Sequence, residues 1–239
     1  MRKRAWAILF AIALAMCAAA LSTQVWAADG GYVAEVRALK GEAYTGYLTS
    51  LDELNSVVGD LDTDRYPLVL VTLLEDVTLT DTFTLETLST DVIFALDGHT
   101  ISGALDNKPV FCVNFDYSGK TFAIKNNIFG DAGTDGDIGT IRNTGTKTGA
   151  GAEPEPGEAL RLCSGKTTLE NVNVEGTLLM TYDFLADTHN YIPPFRGGGK
   201  FDKIDVDDGS RTILVANLLG RECAFLEVDS GNRVDENSS

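Results

Sequence analysis

The octapeptide LDGHTISG at residues 96–103 returns as LENVNVEG at 169–176, and this recurrence constrains the chain more than any other feature. Both copies read leucine, acid, glycine or asparagine, two variable positions, isoleucine or valine, one variable position, glycine. IKNNIFG (124–130) reads as a third copy shortened by one residue, and SGKT stands just ahead of a copy twice, at 118–121 and 164–167. The copies begin at Leu96, Ile124 and Leu169, so they are 28 and 45 residues apart. Those intervals predict about one and about two turns of a repeating unit whose loops vary in length. Asn126, Asn171 and Gly98 fall at matching places, where a tight corner requires a backbone that glycine and asparagine tolerate.

The sequence around the copies has period two. LVLVTLLEDVTLTDTFTL (68–85) places Val69, Val71 and Leu73 on one side, then Val77 and Leu79, then Phe83 and Leu85. Similar β-branched runs recur at 92–96, 110–115, 121–124, 138–141, 159–162, 167–174 and 178–182, separated by Gly, Asn, Asp and Ser clusters. Many short strands without intervening helices exclude a doubly wound α/β sheet. They leave a sandwich, a barrel or a coil of stacked strands. An antiparallel sandwich also alternates and also turns on glycine. The matched corners favour an all-β right-handed parallel β-helix, in which each strand stacks on its equivalent in the next turn about 4.8 Å away.

Such a coil has open ends that need covering. Residues 32–47 predict a hairpin around Gly41. In LTSLDELNSVVGDL, Ser50 and Glu53 predict a capping box, and Leu51, Leu54, Val57, Val58 and Leu61 predict one face of a helix over 51–61. A second short helix is expected at 213–219, started by Thr212 and closed by Gly220. Two stretches, TKTGAGAEPEPGE (146–158) and 183–199, are expected to be excursions from the coil. The expected divisions are therefore a signal (1–27), a hairpin with its capping helix (28–66), the β-helix (67–209) and a C-terminal helix and strand cap (210–239).

Arg2, Lys3 and Arg4 precede an apolar run from Ala5 to Leu21, and Val25-Trp26-Ala27 supplies small residues where a signal peptidase reads. An uncleaved anchor is the competing reading, because the run is nearly long enough to span a bilayer. The alanine-rich distal half favours cleavage after Ala27, and hence a secreted or cell-surface chain with no further membrane segment. Removing three cations takes the net charge from −16 to −19. That surface repels nucleic acid and anionic lipid. The cysteines that follow the signal, Cys112, Cys163 and Cys223, form no metal-binding pattern and act as small apolar residues, with a Cys112–Cys163 bridge left open in an oxidising compartment. A monomer is expected.

LTSLDELNSVV, VLVTLLEDVTLTDTFTL and VIFALDGHTISG together resemble the opening of bacterial secreted and surface-displayed parallel β-helix domains of the pectate-lyase-like superfold. The tail GGKFDKIDVDDGSRTILVANLLGRECAFLEVDSG resembles the closing part of the same proteins, so the likeness runs from about Leu48 to Val234. One departure is LDGH, where the family commonly has an asparagine before the glycine. The resemblance implies an adhesin-like or carbohydrate-contacting role without catalysis, toward an extracellular glycan or a host or matrix protein.

The same superfold also carries polysaccharide lyases and glycosidases, so an enzyme, Ca²⁺-dependent in the lyase case, is the alternative. Hydrolysis needs two carboxylates about the bond, and Asp207-Asp208 is the adjacent acidic pair in a strand-to-turn setting. A lyase needs carboxylates for Ca²⁺ and a cationic base; Asp131, Asp135 and Asp137 with Arg142 come nearest, although their spacing fails the EF-hand pattern. His99 and His189 lie 90 residues apart with no nucleophile motif beside them, and neither SGKT has the earlier glycine of a phosphate loop. No catalytic residue is therefore assigned. With both tryptophans in the signal, Tyr182, Tyr191 and Phe195 form the expected ring cluster for ligand contact. Cleavage is expected to expose Ala28 as the first residue of exported chain; N-terminal sequencing that instead returns Met1 supports the anchored reading.

Overall fold

In the computed structural model, residues 31–116, 119–127, 138–148, 153–181 and 200–204 are described in full, and 195–196, 205–207, 211–215 and 224–228 as backbone. The chain is predominantly β, with parallel sheets and a nearly closed, barrel-like sheet. It enters through the expected hairpin, β1 (Ala34–Lys40) and β2 (Thr45–Leu48), and β1 pairs antiparallel with β3 (Leu68–Leu73).

From β3 onward the pairing within the two main sheets is parallel. One sheet continues through β6 (Asp91–Ala95), β9 (Thr121–Lys125), β14 (Lys166–Glu170) and β16 (Phe195–Arg196). The second sheet holds two sets of strands. One set is β4 (Val77–Leu79), β7 (Thr100–Gly103) and β10 (Thr140–Asn143); the other is β5 (Phe83–Leu85), β8 (Phe111–Asn114) and β13 (Glu158–Ser164). Both sets meet on the long β15 (Asn173–Thr181), which β17 (Phe201–Asp207) then follows. The chain thus leaves the first sheet, crosses the second and returns. Registers Val69↔Val92, Val92↔Phe122, Phe122↔Thr167 and Leu169↔Phe195 make the returns 23, 30, 45 and 26 residues long.

Two details of the repeat are corrected by these registers. The 45-residue interval is one return, because Thr167 pairs directly with Phe122. The middle copy is also split: Ile124 lies opposite Phe94, two residues out of step with Leu96, whereas Ile141 of Gly139-Thr140-Ile141 occupies the place between Ile101 and Val174. IKNNIFG is therefore the first half of a repeat into which residues 128–137, outside the described residues, are inserted. The Asn126 carboxamide bridges the break: its Oδ1 accepts from Gly98 N at 3.0 Å and Gly139 N at 2.7 Å. Asn171 is the structural counterpart of Asn126 and turns with φ +54. The run at 167–174 divides at this corner into β14 and β15. The repeated SGKT is a repeated turn. Gly119 and Gly165 have φ +82 and +83, and a Cβ on Gly165 would meet the Phe115 ring at 2.5 Å.

Alternation makes columns of inward side chains. Val71, Phe94, Ile124 and Leu169 share one column; Val77, Ile101, Ile141, Val174 and Phe201 share another; Phe83, Phe111, Leu160, Leu178 and Ile204 share a third. All of these are buried in one core. Within it the rings of Phe83 and Phe111 meet edge-on at 5.0 Å, and Phe94, Phe115 and Phe122 extend the cluster at 5.9–6.5 Å. Offset and edge contacts of this kind add to the burial of large apolar surfaces.

Two polar positions interrupt the columns with opposite outcomes. Asn143 is buried, but its Nδ2 donates to the carbonyls of Leu105, Lys108 and Glu158, while its Oδ1 accepts from Leu105 N and Gly145 N. Thr167 is buried beneath Phe122, and its hydroxyl has no partner among the described residues. The excursion after Asn143 is not wholly a loop: β11 (Thr146–Lys147) pairs with β12 (Glu155–Pro156). Buried Glu158 ties down its base, with Lys147 Nζ at 3.0 Å and Arg161 Nε donating at 2.7 Å.

The first end is covered by α1 (Glu53–Asp60), whose Leu54 and Val58 are buried with Leu51. The expected capping box is corrected. Leu54 N bonds Leu51 O, so the turn begins earlier, and Thr49 rather than Ser50 joins Glu53, with Thr49 N donating to Glu53 Oε2 at 3.0 Å. Asn55 supplies the cover for the exposed strand edge. Its carboxamide donates to Thr84 O at 2.6 Å and accepts from Glu86 N at 2.8 Å, standing in for a strand beside β5. The helix expected at 213–219 is also corrected. Arg211–Val215 is a strand, β18, antiparallel to β19 (Ala224–Val228), as the β-branched Thr212, Ile213 and Val215 favour. Residues 216–223 lie outside the described residues.

In urea unfolding, Asn143→Ala is expected to lower stability by about 2–4 kcal/mol, since it strands several buried carbonyls and amides. Thr167→Val is expected to raise it by about 1 kcal/mol, since it removes an unpartnered buried hydroxyl.

Candidate functional site

The alternation that points one set of side chains inward points the next set out. On the second sheet the outward neighbours of the Val77–Ile101–Ile141–Val174 column are Thr78, Ser102, Arg142 and Glu175, in register across four strands. Adjacent strands are about 4.8 Å apart, so these side chains form a comb of hydrogen-bonding groups. The Thr78 and Ser102 hydroxyls are 3.3 Å apart, and Arg142 Nε donates to Glu175 Oε2. Arg142 and Glu175 remain 44 % and 40 % exposed at the side chain.

Acids flank the comb. Asp76 Oδ1 accepts from Thr100 N at 2.8 Å and lies 3.4 Å from His99 Nδ1, while Asp202 Oδ2 accepts from Gly176 N at 3.0 Å. The Arg142 guanidinium is pushed above its ordinary pKa, first by its hydrogen bond to Glu175, then by that carboxylate's charge, with smaller help from Asp202 and Asp76. A cationic base must shed its proton, which calls for a shift in the opposite direction. The shift of Arg142 runs toward its charged form.

The structure keeps the other sequence candidates apart from this comb or does not describe them. Asp131, Asp135, Asp137, Tyr182, Tyr191, His189 and Asp208 lie outside the described residues. Phe195 and Asp207 are described as backbone alone: Phe195 pairs with Leu169 and Asp207 with Thr181. Asp97 and Gly98 form a corner with φ +51 and +84. Among the described residues no cluster of three or more His, Cys, Asp or Glu side chains is arranged to hold a metal ion.

A ring pair that the sequence reading passed over lies on the opening hairpin. Tyr32 and Tyr47 are 41 % and 47 % exposed, with centroids 5.0 Å apart and planes tilted by 32°. Beside them Tyr44 packs on Tyr66 at 5.5 Å, and Arg65, 5.5 Å from the centre of the Tyr66 ring, bonds Glu42 at 2.6 Å. The signal was present in TGYL: with Leu48 buried on β2, Tyr47 has to face out.

No family model matches the chain, and no curated protein or solved structure matches it. Parallel β-sheets are the part of the expected family likeness that the structure bears out. Among the described residues no helix is long and apolar enough to cross a membrane.

Because the Arg142–Glu175 pair is exposed, Arg142→Ala is expected to change unfolding free energy by less than about 1 kcal/mol. Urea titration checks this, and a larger loss would mark the comb as structural.

Proposed function

We propose that this chain is an exported right-handed parallel β-helix that binds an extracellular glycan, or a host or matrix protein, through its lateral face without catalysis. The reading is carried by the Thr78–Ser102–Arg142–Glu175 comb, an exposed polar row that no packing need of the core explains. Parallel strands visited in rotation favour a coil, and crossovers between parallel strands are right-handed in nearly all proteins. A row at the strand spacing offers a periodic ligand several equivalent hydrogen-bonding groups. The Tyr32–Tyr47 pair adds a second surface on which an apolar sugar face can stack. Export is supported by the basic start, the apolar run and the small residues before Ala28. The acidic surface suits neutral or cationic partners over nucleic acid.

The test is a glycan-array and matrix-protein screen of the secreted chain, followed by titration of the strongest hit. Arg142→Ala with Glu175→Ala is expected to weaken binding at least about tenfold, the loss of one to two charge-assisted hydrogen bonds. Binding that this double variant leaves unchanged moves the site elsewhere, with Tyr47→Ala as the next variant. Release of unsaturated sugar from polygalacturonate in the presence of Ca²⁺, abolished by Arg142→Ala, would overturn the non-catalytic reading.

A further inference from the structure

The outward column next to the comb carries a pair of thiols. Thr84, Cys112 and Arg161 share register across β5, β8 and β13. Two residues beyond Arg161, the pairing of β13 with β8 slips: Leu162 lies opposite Val113 and Ser164 opposite Asn114, which leaves Cys163 as the extra residue of a bulge. A bulge of this kind bends its strand and redirects a side chain. Here it brings Cys163 Sγ to 3.7 Å from Cys112 Sγ, across neighbouring strands and 51 residues apart in sequence. The bulge is pinned on both sides. Thr181 Oγ1 donates to Cys163 O at 3.0 Å, and Ser164 Oγ donates to Phe115 O at 3.0 Å. With the backbone fixed, side-chain rotation is the movement left to bring the sulfurs from 3.7 Å to a bond of about 2.05 Å. Cys112 lies opposite Arg161, so Cys163 reaches it diagonally, and the 3.7 Å between the sulfurs is the distance that bears on bond formation.

We propose that Cys112 and Cys163 are a disulfide-forming pair that staples two successive returns of the second sheet when the chain meets a disulfide oxidant of the glutathione or dithiol-oxidoreductase class. Cys163, half-buried, is the entry point, while Cys112 is buried. The Cys163 thiolate attacks one sulfur of the oxidant, forms a mixed disulfide and expels the other sulfur as a thiolate, which takes up the proton Cys163 released. The Cys112 thiolate then attacks Cys163 Sγ, forms the Cys112–Cys163 bond and expels the second oxidant sulfur, which takes up the proton from Cys112. Two protein thiols are oxidised and one oxidant disulfide is reduced to two thiols. In the reduced pair the hydrogen bond with Cys163 and then burial hold the Cys112 thiol above its ordinary pKa, so rising pH favours the thiolates that the exchange needs. Closing a loop between residues 51 apart restricts the unfolded chain far more than the folded one.

The full chain, purified with its thiols reduced and then exposed to oxidised glutathione at mildly alkaline pH, tests this. Peptide mass mapping is expected to show a Cys112–Cys163 cross-linked pair, lighter by its two thiol hydrogens. The oxidised chain is expected to melt about 5–10 °C above the reduced one. Cys163→Ser is expected to fold and to lose the oxidant-induced shift. A stable glutathione adduct on Cys163, alkylation of both Cys112 and Cys163 after oxidation, or a shift that persists in Cys163→Ser would each overturn the proposal.

Discussion

The core of the two main sheets depends on the stacking of like on like between neighbouring parallel strands. A strand in such a sheet cannot choose its register freely, since a slip of one residue would turn its whole apolar set outward. The column Phe83–Phe111–Leu160–Leu178–Ile204 is the consequence, and so is its neighbour Val71–Phe94–Ile124–Leu169. Burying each of these side chains contributes about 1.5–3 kcal/mol before entropy is counted. Because the demand is the same at every return, segments between columns can vary in length while the columns stay aligned.

Three asparagines serve the backbone directly. Asn126 closes a break, Asn143 gathers three carbonyls and two amides at the root of an excursion, and Asn55 completes the exposed edge of β5. Each is a carboxamide acting as a substitute peptide group, with donor and acceptor side by side. Thr167 is the contrasting case, a hydroxyl within a column of apolar side chains with nothing beside it to bond.

The outer face follows from the inner one. Once Ile101, Ile141 and Val174 point in, Ser102, Arg142 and Glu175 have to point out, in line and at the strand spacing. The bulge at Cys163 is the local exception, since the extra residue shifts the alternation and carries one thiol toward another. Regular pairing arranges the comb, and a break in the pairing arranges the thiols.

The residues of this chain, read alone, determine a predominantly β fold, the period-two columns, the hairpin at 32–47, a helix near 51–61 and the corner at Asn171, whereas Asn126, expected at a matching corner, lacks a positive φ and stands level with Leu96, not Gly98. Those features are local: alternation, capping and positive φ act over a few residues. Tertiary structure decided which repeat halves belong together, because Ile124 and Ile141 join one return despite the residues inserted between them, and a linear comparison cannot skip an insertion of unknown length. It also decided that Arg211–Val215 forms a strand beside Ala224–Val228, since ILVANLL has both a helical stripe and β-branched residues and a pairing partner selects between them. The comb was hidden for the same reason, and the Cys112–Cys163 pairing that the sequence left open was decided by it: each depends on which strands lie side by side, and that is settled by the packing of the whole core.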